Sequence, residues 1–349
     1  AQAVLSFSAP GLAIPMLCAR RASLAAALAV RSFTGHRKAS SLASLVHGHA
    51  ALSPHRLALA SPQQEVAWSY SDLSNRAARI ATSLAKAGFC TGEVLVTDLP
   101  NCAENLLLQV ACSHLGVAVA TVKDQKALAA LMCTVSVRGA VTHRAEGANE
   151  LLLGAKLSAP PVVAESLDVS LAPLLGEQAP LAEMVPADDS AALGYWSSTK
   201  PLTNGEALSM GAASRERLEM TAEDRVLVSI TLCHAFGIGS AVGSALLAGA
   251  AVVLPGASGI RGCGSPGQRA QVTLDVLQSQ RCSLLFADVH TLKALPPPGN
   301  AELALRGGAC KVGSGADFLD VTEAKLGPDG ELRPLEYAGR RLVAVGKKA

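Results

Sequence analysis

The stretch with the most chemical content runs Leu193-Gly194-Tyr195-Trp196-Ser197-Ser198-Thr199-Lys200-Pro201-Leu202-Thr203-Asn204-Gly205-Glu206-Ala207. Its length and edges are those of a phosphate-binding loop. Such a loop needs glycines, so that backbone N–H groups can close on the anion, with hydroxyls and one lysine. Ser198 and Pro201 stand where the turn glycines are expected, and Asn204 where the lysine is expected. Proline removes a donor and fixes φ. The stretch therefore reads as a nucleotide-binding scaffold that has lost its chemistry. On this reading the chain has no catalytic residue, no cofactor-binding residue, no cofactor and no metal ligand.

Other candidates are weaker. Gly262-Cys263-Gly264-Ser265-Pro266-Gly267 fits G-x-G-x-x-G. A dinucleotide site needs a helix starting within the motif and an acidic ribose ligand about 20 residues on. Pro266 continues it poorly and the distant residue is a serine, so a surface loop is expected. His234 either orients a substrate or packs beside a helix start. Glu93, Asp98 and Glu104 form no spaced catalytic pair, and no Gly-x-Ser-x-Gly elbow is present. His47, His49 and His55 have no cysteine or carboxylate beside them and read as solvated loop histidines. Nine cysteines without a Cys-x-x-Cys fit a reducing compartment rather than a disulfide framework or a zinc ribbon. With three tyrosines and two tryptophans, base stacking has few candidates, and no nucleic-acid partner is expected.

The elements that must position these residues alternate. A helix from Leu42 stops near Ser53-Pro54, and 66–70 is strand-like. Ser71-Asp72 offers an N-cap for a helix whose apolar face is Leu73, Ala77, Ile80, Leu84 and Ala87, closed by Gly88. A strand at 94–96 precedes a helix starting at Pro100-Asn101 and ended by Gly116, and the strand 117–122 follows. Strand, helix and strand in about 30 residues make a βαβ unit of parallel sheet. A helix at 125–132 and a strand at 140–142 extend it. Residues 154–190 read as a connector, 226–231 and 283–286 as strands, 256–267 as a loop and 270–280 as a helix. Residues 236–255 carry no charge over 20 positions. Gly249 and Val252-Val253 divide them into buried helix, turn and buried strand rather than a membrane span.

The 349 residues are half hydrophobic and 3% aromatic, enough for a large core. The net charge of +2 hides an asymmetry. Residues 1–64 contain no acid and carry Arg20, Arg21, Arg31, Arg37, Lys38 and Arg56, whereas the remainder holds 24 basic against 28 acidic side chains. An Arg- and Ser-rich, acid-poor start resembles an organelle transit peptide. The chain begins at Ala1, so the expectation is a targeting segment already removed and a basic arm retained. An uncleaved presequence is the alternative. Such an arm could lie on an anionic membrane surface or on a partner.

Several stretches, in order, resemble a known family. They are Tyr70-Ser71-Asp72-Leu73, Gly92-Glu93-Val94, Leu99-Pro100-Asn101, the loop around Tyr195 to Gly205, and His234-Ala235-Phe236-Gly237 with Leu246 to Pro255. Ser283-Leu284-Leu285-Phe286 follows. Together they resemble the adenylate-forming superfamily of acyl-CoA synthetases, luciferases and peptide-synthetase adenylation domains over residues 45–310. The resemblance implies that the loop lysine and glycines hold the pyrophosphate side of ATP. At their positions stand Asn204, Ser198 and Pro201. The family's Y-G-x-T-E motif and ribose aspartate have no counterpart. Gly307-Gly308-Ala309 resembles the glycine turn before them, and Gly327-Pro328-Asp329-Gly330 with Gly339-Arg340-Arg341 resembles the hinge region. The resemblance thus implies a deleted internal block and no lid domain, with Lys347 and Lys348 beyond the hinge.

The expected fold class is α/β: layered sheets with flanking helices, resembling a truncated N-terminal domain of adenylate-forming enzymes. Residues 1–41 are the basic arm and 42–190 a first α/β subdomain with its connector. Residues 191–349 are a second subdomain with the degenerate loop and a shortened tail. The expected function is a non-catalytic structural role, that of a pseudoenzyme. In type and composition the chain resembles accessory peripheral-stalk subunits of the green-algal mitochondrial ATP synthase. Its partners would be other subunits of that complex on the matrix side of the inner membrane, with the arm able to touch lipid. The alternative is an acyl-adenylate-forming ligase, or a nucleotide- or acyl-CoA-binding regulatory module, with a divergent site.

Overall fold

The protein is described from a computed structural model. It describes residues 40–122, 125–135, 137–143, 162–164, 192–196, 201–232, 235–256, 265–299, 302–312, 317–318 and 335–346. The basic arm, the loop tip 197–200, His234, residues 257–264 and residues 327–330 lie outside them.

Helix α1 (Leu42–Leu52) starts on a capping box in which Ser41 and Ser44 each serve the other's backbone N–H. Strand β1 (Leu57–Ser61) and strand β2 (Val66–Ser69) form an antiparallel pair. Helix α2 (Tyr70–Lys86) begins on Ser69, not on Ser71-Asp72: the Ser69 hydroxyl accepts from Asp72 N, and the Asp72 carboxylate accepts from Ser69 N. Leu73, Ala77, Ile80 and Leu84 are buried as their spacing predicts. Strand β3 (Val94–Thr97), helix α3 (Ala103–Leu115) and strand β4 (Ala118–Thr121) make the expected βαβ unit. Helix α3 begins at Ala103 rather than at Pro100, because Pro100 and Asn101 form a turn with other duties. Helix α4 (Gln125–Thr134) leads to strand β5 (Val137–His143). Strand β6 (Val162–Ala164) falls inside the expected connector and pairs with β5.

Strands β7 (Ala192–Trp196) and β8 (Pro201–Thr203) form an antiparallel pair flanking the loop tip. Helix α5 (Asn204–Arg217) follows at once, and then strand β9 (Arg225–Ser229). The uncharged run resolves into a π-helical segment (Phe236–Gly243), helix α6 (Ser244–Ala248), a left-handed Gly249 and strand β10 (Ala251–Val253). Helix α7 (Pro266–Ser279) starts earlier than the expected 270. Pro266 stands in its first turn and Ser265 with Gln268 makes a capping box, so this proline opens a helix instead of spoiling one. Strand β11 (Leu284–Asp288), helix α8 (Val289–Ala294) and strand β12 (Gly307–Lys311) follow. The expected glycine turn at 307–309 is therefore part of a strand. Strand β13 (Asp317–Phe318) precedes a hairpin of strands β14 (Glu336–Tyr337) and β15 (Arg340–Gly346). Gly339-Arg340-Arg341 thus belongs to a hairpin.

Among the described residues the strands form a nine-stranded sheet, ordered β13-β15-β12-β11-β9-β10-β1-β2 with β14 on β15, and a four-stranded sheet ordered β4-β3-β5-β6. From β1 to β15 the central neighbours of the large sheet are all parallel. The four-stranded sheet is parallel throughout. Helix α3 is buried nearly all round, within a core that also takes in α1, α2 and one face of each sheet. Alternate residues of β3 and β4 face the opposite way, toward α4. No helix among the described residues is long and apolar enough to cross a membrane. The architecture is the α/β layering expected from the sequence.

Candidate functional site at the carboxyl edge of the large sheet

In a parallel sheet all strands end on one edge, and ligands bind outside those carboxyl ends. Here that edge is marked by Ser61, Ser229, Val253, Asp288 and Lys311, the last residues of β1, β9, β10, β11 and β12.

Two helices pack together beside it. One is α5, which follows the phosphate-loop hairpin. The other is the continuous helix 236–248, which follows β9. Small residues let them touch backbone to backbone. A Cβ at Gly211 would fall 2.6 Å from the Gly243 carbonyl carbon, and one at Gly243 would fall 3.1 Å from the Ala207 carbonyl oxygen. Gly239 faces Ala207 and Met210, so contacts advance together along both helices, and the helices run in the same direction. Their positive dipole ends therefore lie on the same side. The N-terminus of α5 is closed by its own capping box: Glu206 N donates to the Thr203 hydroxyl, and Thr203 N donates to the Glu206 carboxylate at 2.9 Å. In the 236–248 helix Ala235 is already helical, so that helix continues upstream of Phe236. Asn204, the residue in the lysine position, is fully buried at the start of α5.

The turn between β3 and α3 reaches across to this edge. The Asn101 amide donates to Val228 O at 2.8 Å and to Ile230 O at 3.0 Å, and its oxygen accepts from Leu232 N at 3.1 Å. Its backbone carbonyl accepts from Gly256 N at 3.1 Å. Asn105 holds the turn from behind, donating to Leu99 O and Pro100 O. Gln64 accepts from Ala103 N and donates to Glu104. The sequence marks Asn101 as a helix start and as part of the Leu99-Pro100-Asn101 turn of the family resemblance, not as a tie between sheets. An asparagine after proline was the available signal, but its partners lie over 120 residues away.

On the other face of the edge, Arg269 pairs with Asp288 at 3.0 Å, both largely buried. Asp288 also caps α8 by accepting from Thr291 N. The Ser229 and Thr273 hydroxyls meet beside this pair. Burial pushes the Cys310 thiol up to about 12, helped by the Asp288 charge. Burial and then Glu104 hold Cys102 well above the usual thiol value, although it stands at the N-cap of α3.

Of the histidines, His55 is exposed in a turn, as expected, whereas His47 is exposed but lies on α1. His49 is not a solvated loop residue. It sits on α1, bonds Leu246 O at 2.8 Å and packs on the Tyr70 ring at 4.9 Å. Burial lowers its pKa against the opposing effect of that bond, and the Arg56 charge lowers it further. Glu93 pairs with Arg138 at 3.6 Å, away from the bonding partner of Glu104. Among the described residues no three His, Cys, Asp or Glu side chains gather as a metal site.

The chain matches the AMP-binding enzyme family over residues 46–286, more than half of its length. Comparison with curated proteins finds no match. Solved structures do match. MbtA from Mycobacterium smegmatis in its apo form aligns with TM-score 0.64 and 19% identity, over 85% of this chain and 55% of that one. The N-terminal domain of FACL13 from Mycobacterium tuberculosis aligns with TM-score 0.64 and 15% identity, over 81% and 71%. A putative long-chain-fatty-acid CoA ligase from Rhodopseudomonas palustris aligns with TM-score 0.63 and 19% identity, over 83% and 70%. At these identities the likeness is one of fold, and the chain spans about half the length of the first.

These findings correct the functional expectation. A match to an enzyme family overturns the non-catalytic reading, and nothing supports a structural subunit of a mitochondrial ATP synthase, a peripheral stalk or a membrane complex. The error has a physical source. The expectation weighed the loop side chains, the missing Y-G-x-T-E motif and ribose aspartate, and the missing lid domain. Anion binding at such an edge also draws on helix dipoles, and α5 still follows the loop hairpin directly.

Proposed function

The chain belongs to the AMP-binding enzyme family, and from that premise we propose that it joins a carboxylic acid to AMP. In this step a carboxylate oxygen attacks the α-phosphorus of ATP. The bond from that phosphorus to the oxygen bridging to the β-phosphate breaks, and pyrophosphate leaves with the electron pair. ATP enters as its magnesium complex, so the metal arrives with the substrate.

The observation that carries the reading is the pair of helices in backbone contact, running in the same direction, one of them following β9 at the carboxyl edge. Charge builds on the departing pyrophosphate. Fixed dipoles aimed at that charge stabilise the transition state without reorganising. Asn204 supplies no cation where a lysine is expected, so the site relies more on these dipoles and turnover is slow.

The test is exchange of labelled pyrophosphate into ATP, run over a panel of fatty, aryl and amino acids. Acid-dependent exchange is the expected result. A folded protein that exchanges nothing with any acid in the panel overturns the proposal.

A further inference from the structure

We propose that Asn101 is a positioning residue of the adenylation site, a neutral strut from the four-stranded sheet that holds the segment leading into the 236–248 helix in place. The inference rests on the function proposed above and adds a residue that acts through others.

The argument follows the bonds. Asn101 lies in the turn after β3, in the smaller sheet, and spends all its side-chain polar capacity toward the anion edge on one segment of the larger sheet. That segment is 228–232, bonded at Val228 O, Ile230 O and Leu232 N. It is the last turn of chain before the 236–248 helix. The segment then abuts that helix directly. A Cβ at Gly237 would fall 2.2 Å from Thr231 O and 3.0 Å from its carbonyl carbon. Any shift of 231–232 is therefore transmitted to the first turn of the helix, because a close-packed contact has no slack. Through Gly211 and Gly243 the same helix is in backbone contact with α5. One amide thus sets the place of one helix directly and of the second through it. The strut is itself stiff: Asn105 fixes Leu99 O and Pro100 O, proline fixes φ at 100, and Gln64 fixes the start of α3.

The amide bears no charge and is not the group that meets the anion. Its loss should leave ground-state binding of ATP nearly intact and misplace the dipoles by a fraction of an ångström in the transition state. Misplacement on that scale costs up to about 100-fold in rate.

The experiment compares wild type with Asn101→Ala and Asn101→Asp. Asn101→Asp keeps size and the acceptor for Leu232 N but loses both donated bonds. Pyrophosphate exchange gives kcat and the KM for ATP, and hydrogen exchange read by mass spectrometry gives local opening. The expected result is a fall in kcat of about 30-fold or more in both variants, with KM changed less than about threefold. Amide exchange should speed up at 229–243 and stay unchanged at 284–288 and 307–311. Wild-type kcat in the variants, or exchange that speeds up uniformly over the chain, overturns the strut. If Asn101→Ala fails to fold, Asn101→Asp carries the same test. If wild type shows no pyrophosphate exchange with any acid, the adenylation reading fails. The strut is then judged by the hydrogen-exchange pattern alone, and an unchanged pattern at 229–243 refutes it.

Discussion

Where β9, β11 and β12 begin, Asp224 receives Arg306 through two bonds of 2.9 and 2.8 Å, the Ser283 hydroxyl at 2.7 Å and Thr221 N at 2.8 Å. Arg306 also donates to Leu218 O and Glu219 O. Where β9 ends, the neutral side chain of Asn101 ties the strand to the smaller sheet, beside the Ser229–Thr273 bond and the Arg269–Asp288 pair. The amino edge closes on itself: charge meets charge, and burial of Asp224 is outweighed by the bonds that hold its carboxyl below the usual range. The tie to the smaller sheet at the carboxyl end is neutral, whereas the network at the amino end is charged.

The largest effect should come from the amino edge. Asp224→Ala leaves a partly buried guanidinium without its partner and is expected to cost about 3 kcal/mol in urea unfolding. Pyrophosphate exchange per folded molecule should be unchanged. A rate loss beyond the unfolded fraction would break the division between the edges. Asn101→Ala is the converse. Val228, Ile230 and Leu232 are buried, so the three lost bonds should cost about 2 kcal/mol of stability, while the rate falls steeply.

His49 gives a smaller, pH-dependent effect. Its folded pKa lies below the usual 6.5, so its contribution to stability is complete above pH 6.5 and is lost as the pH falls toward the folded value. Between pH 7.5 and 5.5 wild type should lose more stability than His49→Gln, by at most about 1 kcal/mol, in paired urea titrations. Smallest is Glu206→Gln. Removing a carboxylate from the first turn of α5 should cost about 0.5 kcal/mol and lower the KM for ATP about twofold, since that charge competes with a phosphate for the helix end. A raised KM would place the anion elsewhere.

Much of this was legible in the sequence, for local reasons. Leu73, Ala77, Ile80 and Leu84 announced their helix by spacing alone. Gly116 and Gly249 announced its neighbours' ends, both left-handed as the turns require. Strand β1 was not legible. Leu57-Ala58-Leu59-Ala60 has helical composition, and it is a strand because β10 and β2 bond it from both sides. The cap on Ser69 was missed by two residues, since both serines are competent and only the chain path decides between them. Asn101 was misread for a deeper cause. Its role is defined by carbonyls at 228 and 230, which no local pattern relates to it. The functional error had the same root: lost side chains in the loop were visible, whereas two helices brought together by Gly211 and Gly243 were not.

One pairing has a consequence in time. Leu59 of β1 bonds alongside Val252 of β10, roughly 190 residues later in synthesis. At about 5–20 residues per second a ribosome needs some 10–40 seconds to supply that partner. Until then the β1–β2 ribbon waits with one edge unsatisfied, and the nascent chain depends on whatever shields that edge in the interval.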